Sequence, residues 1–133
     1  MKTEQTAAGQ AVRSTHLLAI GELLRTQDNR CTSNPMFCVQ EKRRVLGMDP
    51  RWTDNEIWVG EEGETSPTAR RGFTRTGYRD EWHTVMVAFT EDGCKEYLRQ
   101  NGHNLRTPRI YVESFNRFPE MIAIREWLMA NNG

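Results

Sequence analysis

Cys31, Cys38 and Cys94, together with His83 and His103, are the residues whose types could hold a metal or carry nucleophilic chemistry. Structural zinc sites place paired ligands about two to four residues apart. Here six residues separate Cys31 from Cys38, and no other cysteine pair is closer. A cysteine nucleophile needs a histidine base and an orienting acid or amide. Cys94 with His83 or His103 meets that bare requirement, and a place near a helix start would lower its pKa. The same Cys94, however, falls in an apolar stripe with Tyr97 and Leu98, where a free cysteine serves as a small hydrophobe. No GxGxxG or GxxxxGK[ST] loop is present to cradle phosphates. The residues thus assign no catalytic group, no metal ligand and no cofactor, and the reading leans away from an enzyme.

Recognition is the better-supplied chemistry. Arginines far outnumber lysines, which occur only at Lys2, Lys42 and Lys95, and arginine suits planar two-pronged contacts with carboxylate or phosphate. Arg43 and Arg44 close a basic run that begins at Lys42, while Arg70, Arg71 and Arg75 end a loop that starts with Glu61, Glu62 and Glu64. Trp52, Trp58 and Phe73 interleave with these arginines. Asn101-Gly102-His103-Asn104-Leu105-Arg106 is a polar turn, with His103 and Asn104 offering donors and acceptors beside Arg106 and Arg109. The candidate partner-binding residues are therefore Arg43, Arg44, Trp58, Arg70, Arg71, His103, Asn104 and Arg106. Basic residues among aromatics can also hold single-stranded nucleic acid, which is the alternative reading. Acids beside each cluster favour an ordinary solvated face over that one.

Composition bounds the partners. The chain has 133 residues with 18 basic and 18 acidic side chains, so no global field draws it to nucleic acid or an anionic membrane. Near-zero net charge mildly favours association with a partner or with itself, so a homodimer is compatible with it. The odd count of 3 cysteines fits a reducing cytoplasm. The N-terminal residues lack a basic stretch followed by an apolar run of about 7–15 residues, so no secretory signal is expected. No apolar segment approaches the ~20 residues needed to cross a bilayer.

The elements that must position these residues are legible mainly in the last third. Residues 1–10 read as a disordered N-terminus and 11–131 as a single domain. From Ala11 to Gln27, Leu17, Ile20 and Leu24 recur at helical spacing, with Leu18 and Leu23 widening the stripe. Phe37, Val39 and Val45 share one parity of a strand that Gly47 and Asp49-Pro50 end. Glu56-Ile57-Trp58-Val59 is a short second strand. Residues 60–77 hold almost no aliphatic side chain and read as a long mobile loop. Trp82 to Phe89 is a strand with apolar residues on both faces, hence a central one. Thr90 caps a helix with Glu91 and Asp92 in its first turn, and Gly102 takes a left-handed position at its end, with Leu105 packing back. Arg109 to Phe115 is a last strand. The final helix starts from an Asn116 cap with Pro119 in its first turn and turns Met121, Ile124, Trp127 and Leu128 inward.

The fold class is therefore α+β, in the order α-β-β-loop-β-α-β-α, with about four strands in one mixed or antiparallel sheet. The helical connection between strands 82–89 and 109–115 would make them parallel if they share a sheet, an antiparallel arrangement being the alternative because the link is short.

At Asn34-Pro35-Met36-Phe37, Phe89-Thr90-Glu91-Asp92-Gly93-Cys94, Asn101 to Arg106 and Arg109-Ile110-Tyr111-Val112-Glu113-Ser114, the chain resembles a family of small uncharacterised proteins of bacteriophages and prophages. The resemblance covers most of residues 31–130 and is strongest from Trp82 onward. It implies an accessory protein acting in the bacterial host cytoplasm, one that binds a host protein and inhibits a defence complex in an anti-CRISPR-like manner. It carries no catalytic residue.

Overall fold

Thr90 shows how closely local chemistry sets the elements: its Oγ1 accepts a 3.0 Å hydrogen bond from the Gly93 amide at the start of helix Glu91–Asn101. The computed structural model describes residues 7–131, with side chains from Thr15 onward. The described elements are α1 (Ala7–Thr26), β1 (Pro35–Met48), β2 (Glu56–Val59), β3 (Thr65–Ser66), β4 (Thr74–Ala88), α2 (Glu91–Asn101), β5 (Arg109–Ser114) and α3 (Pro119–Ala130). Short 3-10 turns occupy Pro50–Trp52 and Gly102–Asn104. The fold is α+β, with one five-stranded antiparallel sheet in the order β3-β2-β4-β1-β5.

Five strands rather than four arise because part of the expected loop 60–77 is paired. A turn at residues 60–64, closed by Gly60 N–H donating to Glu64 O at 2.8 Å, leads into β3. Gly63 supplies the left-handed conformation (φ +86) that this turn needs. β4 then begins at Thr74, well before Trp82. Its early residues Thr74, Arg75 and Thr76 pair with β2 through backbone bonds, which do not depend on aliphatic side chains. β4 is central, as its two apolar faces suggested, but β1 lies between it and β5, so the strands joined through α2 are not neighbours.

The described contacts divide into two compact units. The first comprises the residues up to Gln40 and from Thr84 onward, and the second is Glu41–His83. In the first unit Phe37, Val39 and Cys94 are fully buried, and Met86, Ala88, Tyr97, Leu98, Leu105, Ile110 and Val112 pack against them. Leu24, Phe115 and Leu128 are buried too, and Phe115 meets Phe89 edge to face at 5.8 Å. Burying such side chains contributes roughly 1.5–3 kcal/mol each. Gln40, buried among them, has both amide ends occupied: Nε2 donates to Thr84 Oγ1 at 3.1 Å, and Oε1 accepts from Arg109 Nε at 2.9 Å.

Three local expectations are corrected in this unit. Gly102 has φ −59, an ordinary right-handed value; α2 ends by tightening into the 3-10 turn, and the left-handed residue is Thr107 (φ 47). Leu105 packs back as expected. Asn116 does not cap α3, because its Oδ1 accepts from Asn34 Nδ2 at 2.6 Å; the residue before the helix is Phe118, with Pro119 in the first turn.

The third correction concerns the rotation of α3. It buries Arg125 and Leu128, while Ile124 (47% exposed) and Trp127 (57%) face outward. The cause lies on α1, where Gly21 lets α3 come so close that a Cβ there would stand 2.3 Å from Leu128 O. Arg25 Nη1 adds a 2.8 Å bond to Met129 O. The inner stripe of α1 is accordingly Gly21 and Leu24, and Leu17 is 42% exposed. α1 begins at Ala7, earlier than its apolar pattern; residues 1–6 of the expected disordered N-terminus lie outside the described ones.

The second unit is held differently. Ile57 is its buried apolar residue, accompanied by Ser66, Gly60 and Gly77. A Cβ at Gly77 would lie 2.6 Å from Thr53 Cγ2 and 2.8 Å from Met48 O, so only glycine fits that strand position.

Candidate functional site

The cysteines come first, since they are the residues with the strongest intrinsic reactivity. Cys94 is fully buried in the Phe37–Val39 cluster. Burial, and then the nearby Glu91 carboxylate, push its thiol up to about 11. Cys38 is likewise buried and is pushed up to about 12 by burial, then by its hydrogen bond to Glu113, whose Oε2 accepts from Sγ at 3.5 Å. Both stay protonated at neutral pH. The lowered pKa that a helix start would give Cys94 is overridden by desolvation. Cys31 is free and exposed. Among the described residues, no group of three or more His, Cys, Asp or Glu side chains is arranged to hold a metal ion. His83 Nε2 instead sits 3.7 Å from Glu81 Oε1 at an exposed position.

The second unit gathers five of the sequence-derived binding candidates. Arg43 and Arg44 stand on the exposed half of β1. Arg43 Nε bonds Glu41 at 3.2 Å, while Arg44 Nε is 3.6 Å from Asp80 with its guanidinium 3.9 Å from the Tyr78 ring centre. Trp58 is half-buried on β2, in register with Arg75 on one side and Ser66 on the other. Arg75 pairs with Glu56 at 2.6 Å. Arg70 and Arg71 are exposed in the turn before β4; Arg70 lies over Phe73 at 5.2 Å, and Arg71 makes no ion pair among the described residues. Most of these cations thus already have a carboxylate or a ring to lean on.

Two aromatics add to that surface. Trp52, in the 3-10 turn after β1, is 79% exposed. Trp82 carries Lys42 at 5.4 Å from its ring centre. Trp52 follows Asp49-Pro50-Arg51, whose Asp49 carboxylate holds Arg51 in a 2.7 Å contact and is itself kept below the usual carboxylate range by that guanidinium. Sequence pattern singled out Trp52 as exposed-looking but left it off the binding set, because no neighbour in the chain marks which tryptophan stays uncovered.

The remaining candidates belong to the first unit. His103 and Asn104 are exposed in the 3-10 turn that ends α2, and Arg106 is exposed just after it. That turn is explained by packing on its inner side through Leu105, so it is a scaffold corner with a polar rim.

Arg125 is the residue that pattern reading missed altogether. It is 6% exposed, and its Nε and Nη2 have no hydrogen-bond partner among the described residues. Burial pulls its pKa down, with Glu126 opposing. No described helix is long and apolar enough to cross a membrane. Comparison with protein families, with curated proteins and with solved structures finds no match.

Proposed function

We propose that the protein is a small phage-type accessory protein that binds a host bacterial protein and thereby inhibits a host defence complex, in the manner of an anti-CRISPR. The observation that carries the binding half is Trp52, 79% exposed in the arginine-rich second unit with Arg70 and Arg71 also open to solvent. Tryptophan and arginine dominate the energetics of protein interfaces, since each offers large area with a polar handle. The phage-like strings supply the biological setting, and the burial of Cys38 and Cys94 counts against either as a nucleophile.

The test is affinity capture from host bacterial lysate, with the wild type and with Trp52→Ala/Arg70→Ala/Arg71→Ala as baits. A stoichiometric partner held by the wild type and lost by the variant is expected. Capture of no such partner, or equal capture by both baits, would count against the reading.

A second reading rests on Lys42 over Trp82 and Arg44 over Tyr78, cation–aromatic pairs on adjacent strands. Such pairs could present a stacking surface to single-stranded nucleic acid. It predicts binding to an oligonucleotide that weakens steeply with salt and is lost in Lys42→Ala/Arg44→Ala. No binding at low salt would remove it.

A further inference from the structure

Helices α1 and α2 and the end of β4 border a half-open groove of about 570 Å³ in the first unit. That volume lies within the range of about 300–1,000 Å³ typical of binding clefts. Ile20, Leu23, Ala88 and Phe89 give it an apolar lining. On α1 the wall includes the small residue Ala19, while on α2 Gly93 makes room for Ala88, whose Cβ would lie 3.1 Å from a Cβ placed there. The polar groups are one-sided. Asp92 and Glu96 stand four residues apart on α2, hence on one face, with His16 contributed by α1 and no lysine or arginine among the described residues of the lining.

The two acids are not equivalent. Glu96 is bonded by Arg99 and Gln100, and those contacts hold its carboxyl below the usual range. Asp92 is exposed and makes no ion pair among the described residues. Its neighbour Glu91 is already committed to Arg30, whose Nη2 donates to both carboxylate oxygens at 2.8 and 2.9 Å. The helix N-terminus adds about half a positive charge here, too little to cancel a full free carboxylate. An apolar trough between two helices, with an uncommitted acid at its rim, is complementary to a helix that is apolar on one side and basic beside it.

We propose that this groove receives an amphipathic helical segment of a partner protein, its apolar residues against Ile20, Leu23 and Phe89 and a lysine or arginine beside Asp92 and Glu96. The proposal stands or falls without the Trp52 surface.

Selection of random 16-residue peptides displayed against the immobilised full chain tests this, followed by fluorescence anisotropy with the synthesised winners. Apolar residues spaced i, i+3 or i+4, and i+7, flanked by lysine or arginine, are expected. Asp92→Lys, at an exposed position that leaves the core intact, should weaken binding at least tenfold, and changing the peptide's basic residue to Glu should restore binding to that variant. Circular dichroism checks that the variant is folded. Absence of enrichment, winners without basic residues, or equal affinity for Asp92→Lys would overturn the proposal. Sedimentation showing a dimer that Asp92→Lys dissolves would also overturn it, assigning the groove to a second copy of the chain. Competition by a small alkylammonium cation without any helical winner would assign it to small ligands instead.

Discussion

Phe37, Val39 and Cys94 close the core of the first unit with no exposure at all, whereas in the second unit Ile57 is the buried apolar side chain and ion pairs line the strands. The first unit is organised by exclusion of water and by caps. The second is organised by backbone ladders, arginine–carboxylate pairs and rings under cations. Exposed ion pairs contribute only about 0–1 kcal/mol each, so the second unit has less to hold it and more surface chemistry to offer. The difference teaches where function can sit: Cys38 and Cys94 of the first unit are consumed by packing, whereas Trp52, Arg70 and Arg71 of the second stay open to solvent.

The largest test of that contrast is Phe37→Ala. It should cost about 3–5 kcal/mol, read as a lower urea midpoint; a loss under about 1 kcal/mol would mean that the first core is not the main support. Arg125→Met should move stability the other way, by about 1–3 kcal/mol, because it removes desolvated donors without partners while keeping the stem's bulk. A clear loss of stability would show that Arg125 is satisfied in solution.

These two sites also mark what the sequence could and could not convey. Thr90, Pro119 and the strand from Arg109 were legible because their signals are local: a cap, a first-turn proline, an alternation. β2 was placed at its observed bounds for the same reason. The rotation of α3 was not legible, since it depends on Gly21 of a distant helix admitting the Leu128 carbonyl. Amphipathic arithmetic therefore turned Ile124 and Trp127 inward, where they are exposed, and gave no sign that Arg125 is buried. β3 and the start of β4 were missed because Thr65, Ser66, Thr74 and Arg75 pair by backbone and carry no apolar pattern. The arginines put forward as binding candidates in the second unit were read from composition alone. The groove between α1 and α2 could not be read that way, because Ala19, Ile20 and Phe89 acquire meaning together only once distant segments border one groove.

Thiol chemistry sharpens the same comparison. Both buried cysteines have pKa values raised from the ordinary 9.0, to about 11 for Cys94 and about 12 for Cys38. A raised folded pKa means that the unfolded chain loses the proton first as pH climbs. The stability linked to these thiols is therefore whole below about pH 9 and declines from there through pH 11–12. Melting temperature should fall over that window, and fall less in Cys94→Ala measured against its own value at pH 7. At neutral pH, a thiol reagent should modify Cys31 rapidly and spare Cys38 and Cys94 until denaturant is added; rapid modification of Cys94 would reopen its nucleophilic reading.

The smallest effect belongs to the second unit. Glu56→Gln breaks the exposed pair with Arg75 and should change stability by no more than about 1 kcal/mol. A loss several times larger would place that pair among the supports of the unit rather than on its surface.

Native-state hydrogen exchange compares the two units most directly. Amides of Phe37 to Gln40, on a strand paired on both sides, should exchange only with global unfolding, while those of Ile57 to Val59 exchange through local openings several kcal/mol cheaper. Equal protection across both sets, or greater protection in the second, would contradict the division into a packed first unit and a more open second one.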